Sequence, residues 1–500
     1  MSSISEKQYF FGARGTKLVA SVVLASSSAF LLLGYDQGVL GGLLANHHLQ
    51  DVLGHPSPSM TGTIVAIYDI GCLVGALITA AWAENYGRRK SAMCGLSIML
   101  IGAALQTSSF SREQMIVSRT ITGVGNGINA ATIPMWVSEI VKPHNRGRLN
   151  SFSGSMIGFG IFFSYWFDYG LSYVKGDISW RLPIALQMLF AMVTLTMIFF
   201  LPESPRWLVA HDNVEEAAHV LACLESTTAT PSTPSVVAAL TDIQTAIAAE
   251  HAAGPVQWKE LWTEGELKNR TRVLLACGIN FFQQMSGCNA LVYYIPFLLQ
   301  HSVGLDANTS LLVSGLNGLV FFLFSIYPLL FLDKWGRPKP FIVASLVQSF
   351  SMVMVAILLS IGTTATNKAS VVFFFTYIAI FGTCYLGTPW SYGPELLPLR
   401  LRARGSAIAT AVNWTCNFII VEITPPAITN IGWKTYIIFG VLNFCWAPLL
   451  YLYYPDTARK SLEEIDNLFR DEKIDFEAVE KAAIGGDEKK VEEGSSEHLP

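Results

Sequence analysis

Charged residues are scarce in this chain, at 14% for Asp, Glu, Lys and Arg together, whereas hydrophobic residues make up 51%. A large soluble enzyme needs more charge than this to cover its surface, so the composition excludes an ordinary soluble protein. It is typical of a chain whose solvent is mostly lipid. The net charge of -4 averages basic loops with acidic tails and gives no reason to expect a nucleic-acid partner.

Catalytic and metal-binding patterns are also missing. The eight cysteines fall mostly inside apolar stretches and have neither metal nor disulfide spacing. No nucleophile and base form a constellation that would predict an enzyme. We therefore expect no enzyme activity, no cofactor and no bound metal. The N-terminus lacks the short apolar run and cleavage site of a removed signal peptide, so the stretch from Leu18 is predicted to be a retained span.

What the chain does have is long apolar stretches. A helix that crosses a membrane needs about 20 mostly apolar residues. About twelve such stretches are present, near residues 18–45, 60–83, 91–110, 114–137, 149–172 and 182–201 in the first half, and near 272–300, 310–332, 341–361, 370–394, 405–428 and 434–454 in the second. The sequence predicts an all-α membrane protein with twelve transmembrane helices.

Three polar signatures occur once in each half of the chain, offset by roughly 250 residues, as a duplicated unit predicts. ENYGRRK at 84–90 returns as DKWGRPK at 333–339, and PESPRWL at 202–208 returns as PDTARKSLEE at 455–464. The third signature places Glu139, Arg146 and Arg148 in the first half against Glu395, Arg402 and Arg404 in the second. Six spans in each half agree with this repeat.

The basic signatures follow even-numbered spans. By the positive-inside rule, these loops, both termini and the central polar segment are expected to lie in the cytosol. The central segment contains helical stretches such as VEEAAHVLACLE and a Ser/Thr/Pro-rich patch, which predict short helices and a linker. The expected domains are a cytoplasmic N-terminus at 1–17, six spans at 18–202, a cytoplasmic helical linker at 203–270, six spans at 271–454 and a cytoplasmic tail at 455–500.

Charged residues inside the spans are rare, because an Asp or Arg at mid-bilayer costs about 2.5 to 3.5 kcal/mol on insertion scales. Asp36 in the first span and Arg119 in the fourth are the obvious opposite-charge pair. Two interpretations stay open, a structural ion pair and a carboxylate that alternates between neutral and ionised. Asp69 in the second span is a candidate second titrating site, although helix pairing or a water cavity is the preferred interpretation. Glu422 is assigned no role.

The seventh span carries the densest group of uncharged polar side chains, Gln283, Gln284 and Asn289. Amides both donate and accept, which suits a neutral polyhydroxylated ligand better than an ion. Gln284 and Asn289 lie about 140° apart on an ideal helix, so they converge only if the helix unwinds near residues 285–287. Broken helices of this kind mark transporter binding sites. Hydrogen bonding between helices is the alternative role for these amides.

Two further spans offer side chains of the same kind. Asn413 and Asn417 lie one turn apart on one face of the eleventh span. Trp390, beside Pro389 in the tenth span, offers an aromatic face on which the C–H groups of a sugar ring can stack. A tryptophan of a membrane protein more often lies in an interfacial belt, and this alternative stays open.

Together these motifs resemble the sugar transporters of the major facilitator superfamily, over about residues 18–469. The resemblance rests on PESPRWL, on QQMSGCN followed by YY, on Trp390 five residues before Glu395, and on the duplicated GRR and GRP loops. GYDQG, TIPMWVSE, WFDYGLSY and SLEEID are similar to fungal sugar and polyol proton symporters of the branch that contains the glycerol symporter. The resemblance implies two pseudo-symmetric six-helix bundles around a central site that opens alternately to each side.

The resemblance also implies roles for individual residues. The sugar-contacting positions of the family are matched by Gln283, Gln284, Asn289, Trp390, Asn413 and, less closely, Asn417. The proton-coupling pair is matched by Asp36 and Arg119. The cytoplasmic gate is matched by Glu139 with Arg146 and by Glu395 with Arg402, with Arg88, Arg89 and Arg337 nearby.

The chain departs from the family pattern at three places. Gly154 stands where the family has a glutamine that touches the sugar, which widens the pocket. Phe321 stands at the position of an asparagine in the eighth span, and Asn317, one turn away, is the nearest substitute. The usual pose of a monosaccharide therefore does not follow from the resemblance. Pro338 replaces the second arginine of the second loop and weakens one gating contact.

The resemblance implies a secondary active transporter that takes up a hexose, a pentose or a small polyol with a proton, across the plasma membrane of a fungus. A facilitative sugar uniporter is the alternative mechanism, because some uniporters of the family also keep the residue matched by Asp36. A non-transporting nutrient receptor of the same fold is the alternative class, and the short tail at 455–500 argues against it. The expected partners are the sugar or polyol, the proton and the lipid bilayer, and a monomer is expected.

Overall fold

The computed structural model describes residues 8–252, 257–265, 267–329, 335–458, 460 and 462–470. Within these ranges the chain is helical and contains no β-strand. Nine helices in the described ranges are long and apolar enough to cross a membrane, judged by length and composition alone.

The first half of the chain forms six long helices and one short one. They are α1 (Thr16–Leu43), the short α2 (His47–Leu53), α3 (Pro58–Tyr86), α4 (Arg88–Thr107), α5 (Arg112–Ile140), α6 (Pro143–Leu171) and α7 (Ile178–Phe200). Hydroxyl caps fix two of the starts: Ser57 accepts from the Met60 N–H before α3, and Ser111 accepts from the Gln114 N–H before α5. α3 and α4 pack on α5, and α1 packs on α6 and α7, which makes these helices one bundle.

The central polar segment forms three helices, two of them short, whereas the sequence predicts short helices and a linker. They are α8 (Pro205–Ala210), α9 (Val214–Glu225) and α10 (Pro234–Ala252), and a 3₁₀ turn follows at Trp258–Trp262. The Trp207 indole N–H donates to the Glu84 carbonyl at 2.6 Å, and the Gly15 N–H donates to the Cys223 carbonyl at 2.7 Å. These bonds hold the segment against one end of the first bundle, which we call the basic end because Arg88 lies there.

The second half forms a bundle of the same kind. Its helices are α11 (Asn269–Met285), α12 (Cys288–Leu298), α13 (Ala307–Ser325), α14 (Pro338–Ile361), α15 (Thr364–Cys384), α16 (Thr388–Leu396), α17 (Arg402–Ile431) and α18 (Lys434–Tyr453), followed by α19 (Leu462–Phe469). Three spans lie outside the nine most apolar helices: α5 and α6 are more polar, and α11 with α12 form one interrupted span. The described residues thus form twelve spans in two six-helix bundles, as the sequence predicts.

The seventh span is broken where the sequence predicts it. α11 ends at Met285 and α12 begins at Cys288, with Gly287 between them at a φ of 90°. Glycine tolerates this left-handed conformation, which other residues adopt with strain. A Cβ on Gly287 would also lie 2.6 Å from the Phe439 ring. A second break, between Cys384 and Thr388 in the tenth span, was not predicted.

The two bundles meet along three pairs of helices, α3 with α17, α6 with α13 and α1 with α12. Two glycines allow the closest approach. A Cβ on Gly41 would collide with the carbonyl oxygen of Tyr293, and a Cβ on Gly62 would collide with that of Glu422. Both contacts lie toward the end of the bundles opposite the basic end, which we call the far end. The bundles are therefore in direct backbone contact at the far end.

Candidate functional site

Four predicted amides form one hydrogen-bonded group at the break in the seventh span. Asn289, in the first turn of α12, donates through Nδ2 to Gln284 and, at 2.6 Å, to Oδ1 of Asn417. Gln284 Nε2 donates in turn to Asn413 Oδ1 at 3.2 Å. All four side chains are buried. The break in the helix brings Gln284 and Asn289 onto the same side, as the sequence predicts.

Two more amides complete the group, which we call the amide cluster. Asn413 Nδ2 donates to Gln283 Oε1 at 3.0 Å and to Asn280 Oδ1 at 3.2 Å. Gln283 Nε2 donates to the carbonyl of Tyr385, at the break in the tenth span, at 2.7 Å. Asn280 was missed in the sequence, although it precedes Gln284 by one helical turn and so lies on the same face of α11.

The predicted charge pair is present in the first bundle. Arg119 Nη1 lies 3.4 Å from Asp36 Oδ1, and both side chains are fully buried. Arg119 Nη2 also donates to the Val65 carbonyl at 3.1 Å, and the guanidinium lies 4.7 Å from the centre of the Tyr68 ring. This geometry agrees with both interpretations given in the sequence analysis, a structural ion pair and a titrating carboxylate.

Asp69 connects the charge pair to the amide cluster, which the sequence does not reveal. Asp69 belongs to α3, yet its Oδ1 accepts from Asn417 Nδ2 at 3.0 Å and from Tyr293 Oη at 3.2 Å. The Val65 carbonyl that Arg119 binds lies one helical turn before Asp69 on α3. A polar path therefore runs from the ion pair of the first bundle to the amides of the second.

The remaining predicted contact positions form no hydrogen bond to the amide cluster among the described residues. Trp390, on α16, is 39% exposed, and its indole side chain forms no hydrogen bond or ring contact with any described residue. Asn317 is buried, and its Nδ2 has no partner among the residues described. Phe321 packs against Phe381 with ring centres 6.0 Å apart. A Cβ on Gly154 would meet nothing within 4 Å, so there is free space beside this position.

Ion pairs repeat at the basic end of both bundles. Arg88 binds Glu139 with Nε–Oε2 and Nη2–Oε1 distances of 3.2 and 3.1 Å. Arg337 binds Glu395 in the same way, at 3.1 and 3.0 Å. Bidentate pairs of this geometry are the strong class of ion pair.

The partner of Glu395 differs from the expected one. The sequence pairs Glu395 with Arg402, whereas the structure places Arg337 on Glu395 and directs Arg402 to the Leu397 carbonyl at 3.4 Å. The side chain of Arg146, the expected partner of Glu139, lies outside the described residues. Arg89 does not join an ion pair in the described part of the chain, and its Nη2 donates to the Phe199 carbonyl at 2.6 Å.

A carboxylate from the segment after each bundle caps the loop at the basic end. Glu203 accepts from the backbone N–H groups of Arg88 and Arg89, and Asp456 accepts from the N–H of Arg337. Gly87 and Gly336 leave room for these caps, because a Cβ on either glycine would collide with the carboxylate. Burial raises the pKa of Glu203, while the backbone N–H groups that it accepts from act against this rise.

A family model described as "Sugar (and other) transporter" matches residues 21–469, which is most of the chain. The chain belongs to this sugar transporter family, within the major facilitator superfamily. The transporter is 39% identical over 475 residues to the MFS-type transporter oryC of Aspergillus oryzae, which covers 93% of this chain and 88% of that protein. It is 34% identical over 473 residues to the sugar transporter STL1 of Saccharomyces cerevisiae, with coverage of 92% and 82%.

Solved structures of the proton:xylose symporter XylE share the fold of the transporter. XylE bound to 6-bromo-6-deoxy-D-glucose gives a TM-score of 0.76 at 22% identity, covering 91% of this chain and 100% of that one. The inward-open conformation of XylE from E. coli gives 0.73 at 22% identity, covering 90% and 99%. Identity at this level shows the fold alone. The curated relatives are membrane transporters, so the chain is a multi-pass membrane transporter and not an enzyme.

Proposed function

We propose that this protein is a secondary active transporter that takes up a hexose, a pentose or a small polyol together with a proton. One observation carries the proposal: the amide cluster of the second bundle is hydrogen-bonded through Asn417 to Asp69, which lies one helical turn after the Val65 carbonyl that Arg119 of the buried pair binds. Proton-binding groups and candidate sugar-binding groups therefore lie in one connected site at the bundle interface.

The chemistry of the cluster favours a neutral ligand with several hydroxyl groups. Its members donate and accept hydrogen bonds but carry no charge, and a hydroxyl does the same. The amides bond to one another at 2.6 to 3.2 Å, so they lie close enough for several to bind one small ring or chain. A sugar hydroxyl that enters the cluster would replace a bond between two amides with two bonds to itself.

Alternating access is the mechanism that fits two bundles around such a site. We further propose that the basic end faces the cytosol together with both termini, that the protein lies in the plasma membrane, and that its domains follow the boundaries given above. The relative STL1 is named a sugar transporter, which supports a sugar as cargo. A facilitative uniporter would use the same amide cluster without the proton.

Uptake of a radiolabelled panel of hexoses, pentoses and polyols by a transport-deficient yeast tests the proposal, with and without a protonophore. Accumulation above the external concentration that collapses with the protonophore is expected. Uptake that equilibrates but never accumulates would favour the uniporter. Expression at the cell surface with no uptake of any member of the panel would favour the nutrient receptor.

Gly154→Gln is expected to change the order of substrate preference. A Cβ at this position would meet no atom within 4 Å, so the glutamine side chain has room to begin, and we expect it to narrow the pocket and add an amide. Compact monosaccharides should gain over bulkier ligands in competition uptake across a polyol, pentose, hexose and disaccharide series. Gly170→Gln is the matched control, because Gly170 lies on the same helix, near its far end, with equal room. An identical rank order in both variants would show that Gly154 does not face the substrate.

Arg337→Ala is expected to shift the transporter toward the state that is open at the basic end. The loss leaves Glu395 without its bidentate partner, so the helix ends that must pack together to close this end are less well held. The reporter is Ala130→Cys, a partly buried position in the part of α5 nearer the basic end, in a background without native cysteines. A membrane-impermeant thiol reagent applied to the basic end should label it faster.

The control for this experiment is Arg112→Ala, which removes an exposed pair with Glu113 on the first bundle near the far end. Exposed pairs contribute about 0 to 1 kcal/mol, so labelling of Ala130→Cys should stay near its original rate. Equal labelling in Arg337→Ala and Arg112→Ala would argue against a closing role for the pair of Arg337 and Glu395.

A further inference from the structure

Asp69 is a fully buried carboxylate. Proton coupling by Asp36 and Arg119, as proposed above, does not use it. Its Oδ1 accepts two hydrogen bonds, from Asn417 and Tyr293, and both donors belong to the second bundle. Its Oδ2 is buried and has no hydrogen-bond partner in the part of the chain that the structure describes. One oxygen of Asp69 is therefore attached to the opposite bundle, and the other is unbonded.

The charges around Asp69 do not balance when every carboxylate is ionised. Arg119 on α5 is the cation at this level, since it donates to the Val65 carbonyl one helical turn before Asp69 on α3. The other titratable groups at this level are Asp36 on α1, Tyr293 and Tyr294 on α12, and Tyr68 and Cys72 on α3, with Glu422 on α17 nearer the far end. One guanidinium thus faces two fully buried carboxylates, Asp36 and Asp69.

A proton resolves this imbalance. A buried ionised carboxylate without a paired cation is strongly unfavourable, so one of the two aspartates holds a proton. Arg119 lies within 3.4 Å of Asp36, whereas Asp69 forms no ion pair within the described residues. The proton therefore belongs on Asp69, and Oδ2 is the atom open to it.

The protonation state of Asp69 decides how firmly it holds Asn417. An ionised carboxylate accepts charge-assisted hydrogen bonds, which are about twice as strong as those to a neutral group. Asn417 is also a member of the amide cluster, since its Oδ1 accepts from Asn289 at 2.6 Å. Asn417 Nδ2 is thus shared between a carboxylate of the first bundle and any sugar hydroxyl that reaches the cluster.

We propose that protonation of Asp69 releases the amide of Asn417 to the sugar, so that Asp69 links proton binding on the first bundle to sugar binding on the second. The proton comes from solution and adds to Oδ2, and only the hydrogen bond from Asn417 is exchanged. This inference rests on the proposed function and deepens it, because it adds a second carboxylate to the pair formed by Asp36 and Arg119. The proton binds first and raises the affinity for sugar.

The test measures the half-saturation concentration for counterflow in proteoliposomes, with equal pH on both sides, from pH 5 to pH 8. Each protein is compared with its own value at pH 5. Linkage of one proton makes the half-saturation of the wild type rise up to about tenfold per pH unit as Asp69 ionises. Asp69→Asn cannot ionise, so its half-saturation should change by less than about twofold over this range. Asp69→Glu restores a carboxylate and should restore the rise.

Asp168→Asn is the matched control, because Asp168 is a buried carboxylate of α6 with no hydrogen-bond partner among the described residues. It should keep the rise seen in the wild type. A wild-type slope in Asp69→Asn overturns the proposal, and so does a flat profile in Asp168→Asn, which would make the loss a general effect of removing a buried carboxylate.

Tyr293→Phe keeps the proposal open to refutation if Asp69→Asn fails to reach the membrane. It removes one donor to Oδ1 but leaves the carboxylate in place. The ionised form of Asp69 then accepts one hydrogen bond fewer and is less stable, so Asp69 ionises at higher pH. The rise in the half-saturation concentration should therefore move to higher pH. An unchanged profile overturns the proposal.

Failure of the inference and failure of the proposed function are distinguishable. Wild-type accumulation that a protonophore leaves intact rejects proton symport, and the role of Asp69 with it. Protonophore-sensitive accumulation with a half-saturation that is flat with pH in the wild type keeps symport and rejects the role of Asp69.

Discussion

Asp36→Asn is expected to abolish accumulation of substrate against its gradient while leaving exchange of substrate across the membrane. Asp36 is fully buried, 3.4 Å from Arg119, and asparagine keeps its shape but neither binds nor releases a proton. In this variant the one remaining carboxylate, Asp69, is balanced by the one guanidinium, Arg119. No excess negative charge is left to bind a proton. Steady-state accumulation of radiolabelled substrate and counterflow, measured on the same membranes, separate the two activities.

The control is Asp51→Asn, which removes an aspartate that is largely exposed on α2, where it pairs with His55. Its accumulation should match the wild type at equal surface expression. Uphill accumulation at the wild-type level in Asp36→Asn would reject a coupling role for Asp36 and leave the structural ion pair as its interpretation.

Asn413→Ala is expected to raise the half-saturation concentration about 5- to 150-fold without lowering surface expression. The amide of Asn413 bonds to Gln283, Gln284 and Asn280, so it lies at the centre of the amide cluster. A buried polar group that loses its partner costs about 1 to 3 kcal/mol, which corresponds to this loss of affinity. Gln284→Ala and Asn289→Ala are expected to act in the same direction.

Gln348→Ala provides the comparison for these variants, because it removes a buried amide of α14 that bonds to no described residue. Its half-saturation concentration should stay within about twofold of the wild-type value, because a substitution that does not touch the substrate is expected to change the free energy of binding by less than about 0.5 kcal/mol. If Asn413→Ala behaves like Gln348→Ala, the amide cluster holds helices together and does not bind the substrate.

The spans and their polar exceptions could be predicted because each depends on local sequence. Apolar length defined the helices, as in α1 and α18, whose observed limits lie within a few residues of the predicted ones. The break before Cys288 followed from Gly287 and from two amides that an intact helix would separate. Asp36 and Arg119 were found together because few opposite charges occur in the spans.

Contacts between the two bundles, and the choice between equivalent partners, could not be predicted, because they depend on the depth at which two helices pack. Asp69 meets Asn417 only because α3 and α17 come together at that level, and nothing in either helix alone indicates it. The choice of Arg337 over Arg402 by Glu395 is of the same kind. Both arginines lie at repeated positions, and side-chain reach in the folded bundle selects between them.

The two carboxylate caps have a consequence for how the chain is made. Glu203 follows the last span of the first bundle and closes on the start of α4, and Asp456 follows the last span of the second and closes on Arg337. A ribosome delivers each cap only after all six spans of its own half have emerged. Glu203 can therefore bind the start of α4 before most of the second half has been synthesised. Each half supplies the carboxylate that caps its own loop.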